Sequence, residues 1–158
     1  MKKILYALGC VLALSASSPA LSQDKTTAPL TSAEWLAKIQ ADKKGIVAKS
    51  MDLTADEAKK FWPLYEQFQR ELAVPQSACT RAVLDYVAAE GKLSDANARR
   101  IAEQVLTANR DASRLHEKHF KQLLKVLPAH KAARYMQIEN KIEAIVRYES
   151  AKAIPLVQ

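Results

Sequence analysis

Two histidines three residues apart, His116 and His119 in the run HEKH, come closest in type and spacing to a chemical site. Neutral imidazoles at i and i+3 can share a divalent metal ion, with His130 and Met136 as further donors. The spacing is not the H-E-x-x-H of zinc peptidases, which places its second histidine four residues on. By the apolar period of the segment, His119 falls on the inward stripe and His116 on its shoulder, so the two rings should diverge. The expectation is therefore a core histidine. A metal-responsive site using His116, His119 and His130 is the alternative. Cys79 also lies on an inward stripe, where a small buried thiol is usually inert. No serine, histidine and carboxylate set can be nominated. Gly9, Gly45 and Gly91 are the three glycines of the chain, too few for a phosphate-cradling loop. Neither an enzyme nor a cofactor is expected.

Charge offers another kind of chemistry. Arg110, Arg114, Lys118, Lys121 and Lys125 step by threes and fours, which stacks them on one helical face for about four turns. The apolar stripe of that helix lies opposite, and Glu117, the one acid nearby, should point sideways. Long Arg and Lys stems present methylenes beneath a charged tip, so they can hold a loosely structured acidic client without fixed geometry. Trp62 sits on the shoulder of another helix, where an indole often meets a partner. These six residues are the candidate client-binding set.

The elements that must position them follow from the rest of the chain. Met1–Lys3 is a basic n-region, Ile4–Ala16 an apolar run, and Ser17–Ser22 a small-residue stretch ending in Ala20-Leu21-Ser22. Together they read as a cleavable secretory signal over 1–22, too short for a membrane span. A flexible leader, 23–30, then precedes a single domain over 31–155. Loss of Lys2 and Lys3 lowers the formal charge from +7 to +5. For an exported basic protein the electrostatic partners are anionic lipid, envelope polymers and acidic polypeptides rather than nucleic acid. Cys10 leaves with the signal, so Cys79 has no internal disulfide partner and the fold must rest on its core.

Strand signals are absent, and apolar residues recur at helical spacing. Helices are expected near 31–50, 54–89, 94–126 and 128–153. Thr31 with Glu34, and Thr54 with Glu57, form capping boxes. Ala58, Phe61, Tyr65, Phe68, Leu72, Cys79, Ala82 and Tyr86 make one stripe on the second helix, which Pro63 and Pro75 should bend or break locally. Ile101, Val105, Ala108, Ala112, Leu115, His119, Leu123 and Val126 do the same on the third. Tyr135, Ile138, Ile142 and Ile145 face inward on the fourth. The starts "LTADEAKKFW" (53–62) and "LPAHKAARYM" (127–136) share one template, which suggests two related helix–helix units.

With Leu-Thr-x-x-Glu at residues 30 and 53, an export signal and an all-helical body, the chain resembles the Spy/CpxP family of periplasmic proteins and its LTxxQ motif. That group also includes periplasmic heavy-metal sensors. "LTADEAKKFWPLYEQFQ" and "VLPAHKAARYMQIENKIEAIVRYE" carry the likeness further, over roughly 30–157. Glu57 stands where the family motif has Gln; in the second copy Lys131 stands there, and Pro128 replaces Thr. The resemblance implies an all-α, long, bent antiparallel helical hairpin with flanking N- and C-terminal helices, often paired as a cradle-shaped dimer. It also implies binding of unfolded envelope proteins, restraint of stress signalling with a membrane sensor as possible partner, or metal sensing. An arm two helices thick and about 50 Å long would leave a broad apolar stripe uncovered, which independently favours a homodimer. The expected function is periplasmic, ATP-independent and chaperone-like.

Overall fold

The computed structural model describes residues 30–89, 92–154 and 156. Four helices follow one another: α1 (Ser32–Met51), α2 (Ala55–Ala88), α3 (Asp95–Leu123) and α4 (Ala129–Ala153). The signal segment, the leader as far as Pro29, Gly91 and Pro155 lie outside the described residues. Both capping boxes form. The Thr31 and Thr54 hydroxyls accept from the amides of Glu34 and Glu57, whose carboxylates accept in return from the amides of Thr31 and Thr54. Each box satisfies two otherwise orphaned donors, and so fixes where the helix begins. At its C-terminal end, α3 stops at Leu123 rather than near Val126. Its last carbonyls are taken up in a tight turn, with Lys125 and Val126 amides donating to Gln122 and Leu123.

The expected break at proline is corrected: α2 runs as one helix through Pro63, which is exposed, and Pro75, which is buried. The interruption lies instead in α1, at Asp42 (φ −154°, ψ 66°). There the Asp42 carboxylate accepts from the Gly45 amide at 2.7 Å and caps the second half of the helix, as an N-cap residue does. A β-carbon on Gly45 would lie 1.8 Å from that carboxylate, so the absence of a side chain is what lets the cap close.

The helices alternate in direction. Ser32 bonds to Glu149, Lys43 to Glu139, and Lys131 to the Asp52 carbonyl, so α1 lies antiparallel along α4. Lys118 meets Glu71 and Arg100 meets Asp85, so α2 and α3 form the expected antiparallel hairpin. α3 also packs on α4, whereas α1 reaches α2 through side chains alone, as in Lys44–Glu66. The expected flanking helices thus lie along the hairpin as a four-helix bundle.

A core of Ile39, Val47, Met51, Phe61, Tyr65, Phe68, Leu72, Leu123, Leu127, Ala132, Tyr135 and Ile142 fills the end that holds the two α–α turns. A smaller cluster, Ala82, Tyr86 and Ile101, closes the far end beneath Ile154. The shared template has a tertiary meaning. The starts of α2 and α4 run side by side in the same direction, and their matching residues touch: Phe61 meets Tyr135 edge-on at 5.2 Å, and Glu57 meets Lys131 at 2.6 Å. The Glu-to-Lys departure in the second copy is therefore complementary. Two like residues would have repelled each other across this pseudo-two-fold.

Candidate functional site

A groove of about 890 Å³ runs along the α2·α3 hairpin. Val74, Pro75, Ala78, Ala82, Ala108 and Leu115 form its apolar floor, and charged side chains of both signs form its rims. It exists because small residues sit where the two helices face one another: alanines at 78, 82 and 108 take less room than the leucines and aromatics nearer the turns. Val74 remains 71% exposed there, an apolar side chain left facing water.

The basic ridge borders this groove. Arg114 and Lys118 line it, and with Lys121, Lys125, Glu117 and Gln122 they also line a shallower hollow of about 400 Å³ further down α3. Arg110 stands apart, donating to Thr107 Oγ1 at 3.2 Å. The ridge is less free of acid than its spacing suggested. Glu117 does not point away but pairs with Lys121 at 2.6 Å, Asp111 lies 3.6 Å from Arg114, and Glu71 of α2 binds Lys118 at 2.8 Å. These cations hold Glu71 and Glu117 below the usual carboxylate range. At exposed positions such pairs are weak and exchange readily for an incoming charged group. Trp62 is not a free anchor. It packs edge-on against Phe61 and Tyr65 at 5.0 and 5.3 Å, with the Lys44 ammonium 5.2 Å from its ring centre.

The three histidines are not brought together. His130 is exposed in the first turn of α4. His116 and His119 do not diverge as fully as their positions implied, since both rings meet Phe68. His116 stands edge-on to it at 5.1 Å, and His119 stacks on it at 4.2 Å with the planes 8° apart. His116 Nε2 lies 2.7 Å from Glu143 Oε1, a contact that holds the Glu143 carboxyl below its ordinary range in spite of burial. His119 is 2% exposed and neither of its ring nitrogens has a hydrogen-bond partner. Burial pushes it down to about 4, so at neutral pH it is an uncharged core residue. Among the described residues no three His, Cys, Asp or Glu side chains gather as metal ligands.

The most polar buried feature was not anticipated. Glu139, wholly buried, accepts from Lys43 at 2.8 Å, from Tyr135 at 2.8 Å and from Gln69 at 3.0 Å, and so ties α1, α2 and α4 together. Lys43 donates also to Gln69 Oε1 at 2.8 Å. Burial, with the Glu139 charge beside it, drives the Tyr135 phenol far above its ordinary value, and Tyr65 is pushed up to about 12 for the same two reasons. A signal was present: Glu139 lies four residues after Tyr135 and three before Ile142, on the inward face of α4. The arrangement holds donors and acceptors saturated rather than poised to react, so its chemistry is structural.

Comparison of the chain with family models, with curated proteins and with solved structures returns no match. The reading of the site therefore rests on its geometry.

Proposed function

We propose that the protein is a periplasmic, ATP-independent chaperone-like binding protein that holds partly unfolded envelope polypeptides along the α2·α3 hairpin. The observation that supports this most is continuity. The apolar groove and the basic face share Arg114 and Lys118, so an extended chain can lay apolar side chains on the floor while its charges meet the rim. Rims of mixed sign suit clients of varied sequence. The basic hollow beyond them favours acidic ones and raises their encounter rate, and this contribution weakens with salt. No nucleotide takes part in this reading, because client release needs only the weakness of each contact.

Light scattering from an aggregating client tests it. The wild-type protein should suppress aggregation at near-stoichiometric ratio, less so as salt rises. Val74→Asp places a charge on the exposed groove floor without disturbing the core, and should reduce protection several-fold at unchanged helicity. Reversing Arg114, Lys118 and Lys121 to Glu should abolish its salt sensitivity. Protection that survives both variants undiminished would remove the groove and ridge from the mechanism.

The same reading includes a homodimer. Leu84, Val87 and Leu106 are exposed toward the far end of the hairpin, at 61, 48 and 66%. Closing them against a second copy would cover apolar surface that α1 and α4 leave open. Sedimentation at micromolar concentration should give a dimer, and Leu106→Glu a monomer. A wild-type protein that sediments only as a monomer would end this part of the proposal.

A further inference from the structure

The two α–α turns, residues 52–54 and 124–128, lie side by side at one end of the bundle, joined by Lys131, which donates to the Asp52 carbonyl at 2.8 Å and to Glu57 at 2.6 Å. Around this blunt end stand Lys49, Lys59, Lys60, Lys125 and Arg134, all exposed. Each makes no ion pair with any described carboxylate. Of the acids at this end, Glu57 is already held by Lys131, and the exposed Asp52 and Asp56 still leave the cations in excess. Leu124, in the turn itself, is 43% exposed.

Stability alone does not call for this placement. The first turns of α2 and α4 carry the positive ends of two helix dipoles, where acids are favoured and cations are not. α4 nevertheless has no acid in its first turn, and has His130 and Lys131 there with Arg134 just beyond. Lys59 and Lys60 follow directly on the first turn of α2, which does carry two acids, Asp56 and Glu57, so the unfavourable placement is that of α4.

We propose that this end of the bundle docks end-on against an anionic phospholipid surface. The cations lie within about 10 Å of the end, judged at 1.5 Å per helical residue, and their flexible stems can bring the charged tips to one plane. Each cation near an anionic leaflet adds to the attraction, and Leu124 supplies an apolar contact at headgroup depth. No described helix is long and apolar enough to cross a membrane, so the association is peripheral. An acidic polypeptide would feel the same charge. It needs a channel along which to lie, and the two hollows run along the flank of α2 and α3, sharing only Lys125 with this end. Docking in this orientation leaves the α2 wall of the groove, which begins at Glu71, roughly 20 Å clear of the surface, and its α3 wall, which ends at Lys118, roughly 10 Å clear. The inference stands whether or not that groove binds clients.

Co-sedimentation with vesicles tests it, using phosphatidylcholine alone or with about one third phosphatidylglycerol. The protein should bind the anionic vesicles at low salt, lose about tenfold in affinity when salt is raised several-fold, and leave neutral vesicles in the supernatant. Lys59→Glu, Lys60→Glu and Arg134→Glu together leave the ridge intact and suit the helix dipoles, so the fold is retained, as circular dichroism will show. This variant should bind at least about tenfold more weakly. A control of equal charge, Arg70→Glu, Lys92→Glu and Lys141→Glu, reverses exposed cations elsewhere and should bind nearly as wild type. Equal loss in the two variants would mean net charge alone and would overturn the assignment. So would equal binding to neutral vesicles, no binding to anionic ones, or full competition by polyglutamate at matched charge.

Discussion

Lys43→Met is expected to destabilise the protein by about 3 kcal/mol, equivalent to a melting temperature lower by roughly 10 °C for a domain of this size. The reason is Glu139, wholly buried in the middle of the bundle, whose charge Lys43 neutralises at 2.8 Å. Removing one partner of a buried pair leaves the other's desolvation uncompensated, and this costs more than the pair itself ever contributed. Tyr135 and Gln69 still donate to the orphaned carboxylate, and the Lys43 side chain is 23% exposed, so the lower end of the usual 3–5 kcal/mol applies. The double variant Lys43→Met, Glu139→Leu removes both charges and should recover most of the loss. Chemical denaturation of the four proteins completes the cycle. A single variant within about 1 kcal/mol of wild type, or a double variant no better than the single, would show that the pair is not the tie described here.

Acid should loosen the bundle before its carboxylates titrate, and His119 is the cause. Its folded value of about 4 lies below the ordinary 6.5, because burial disfavours the imidazolium. His116 lowers it further, while Gln122 and the Glu71 charge pull the other way without cancelling the burial. The unfolded chain therefore takes up the proton first. Stability is at its full value above pH 6.5 and falls as the pH drops toward 4, by about 2–3 kcal/mol in all. The carboxylates held below their ordinary value, Glu34, Glu57, Glu66, Glu71, Glu117, Glu143 and Glu149, lose their contributions lower, as the pH falls through about 4.5 and below. His119→Leu should flatten the upper window and leave the lower one. It also replaces two buried, unpartnered nitrogens, so stability at pH 7 should hold or rise by about 1 kcal/mol. A variant whose stability between pH 6.5 and 4 falls as steeply as the wild type's would exonerate His119.

Much of this fold is legible in spacing and capping. Thr-x-x-Glu marks two helix starts to the residue, because a capping box is a local device that no distant contact has to approve. The stripes on α2 and α3 name nearly all the buried residues of those helices, since period 3.6 and burial are the same statement for a packed helix. What spacing cannot show is pairing. The carboxylates that answer Arg114, Lys118 and Lys121 include Glu71 from another helix, so the ridge looked cleaner in one dimension than it is in three. Proline misled as to a break, since α2 passes through the exposed Pro63 and the buried Pro75 alike as one helix. The break at Asp42 depends on a side chain folding back over Gly45, a pattern that was open to reading as an aspartate three residues before a glycine. Glu139 was legible by position and passed over by type.

The pairing of α1 with α4 has a consequence for the order in which the protein can be made. Ser32 and Glu149, which bond to one another, are 117 residues apart, and Lys43 and Glu139 are 96 apart. A ribosome or a translocation pore delivers the chain from its N-terminus, so α1 emerges first and its backbone partner last. α2 and α3 can close as a hairpin once residue 123 is out, but Ile39, Val47 and Met51 have no α4 to cover them until the final segment arrives. Most helical bundles fold through near neighbours and fold fast; this one must close its longest loop at the end, which slows the last step. Through that interval Ile39, Val47 and Met51 stay uncovered, so the first helix is the part of the newborn chain longest exposed to aggregation.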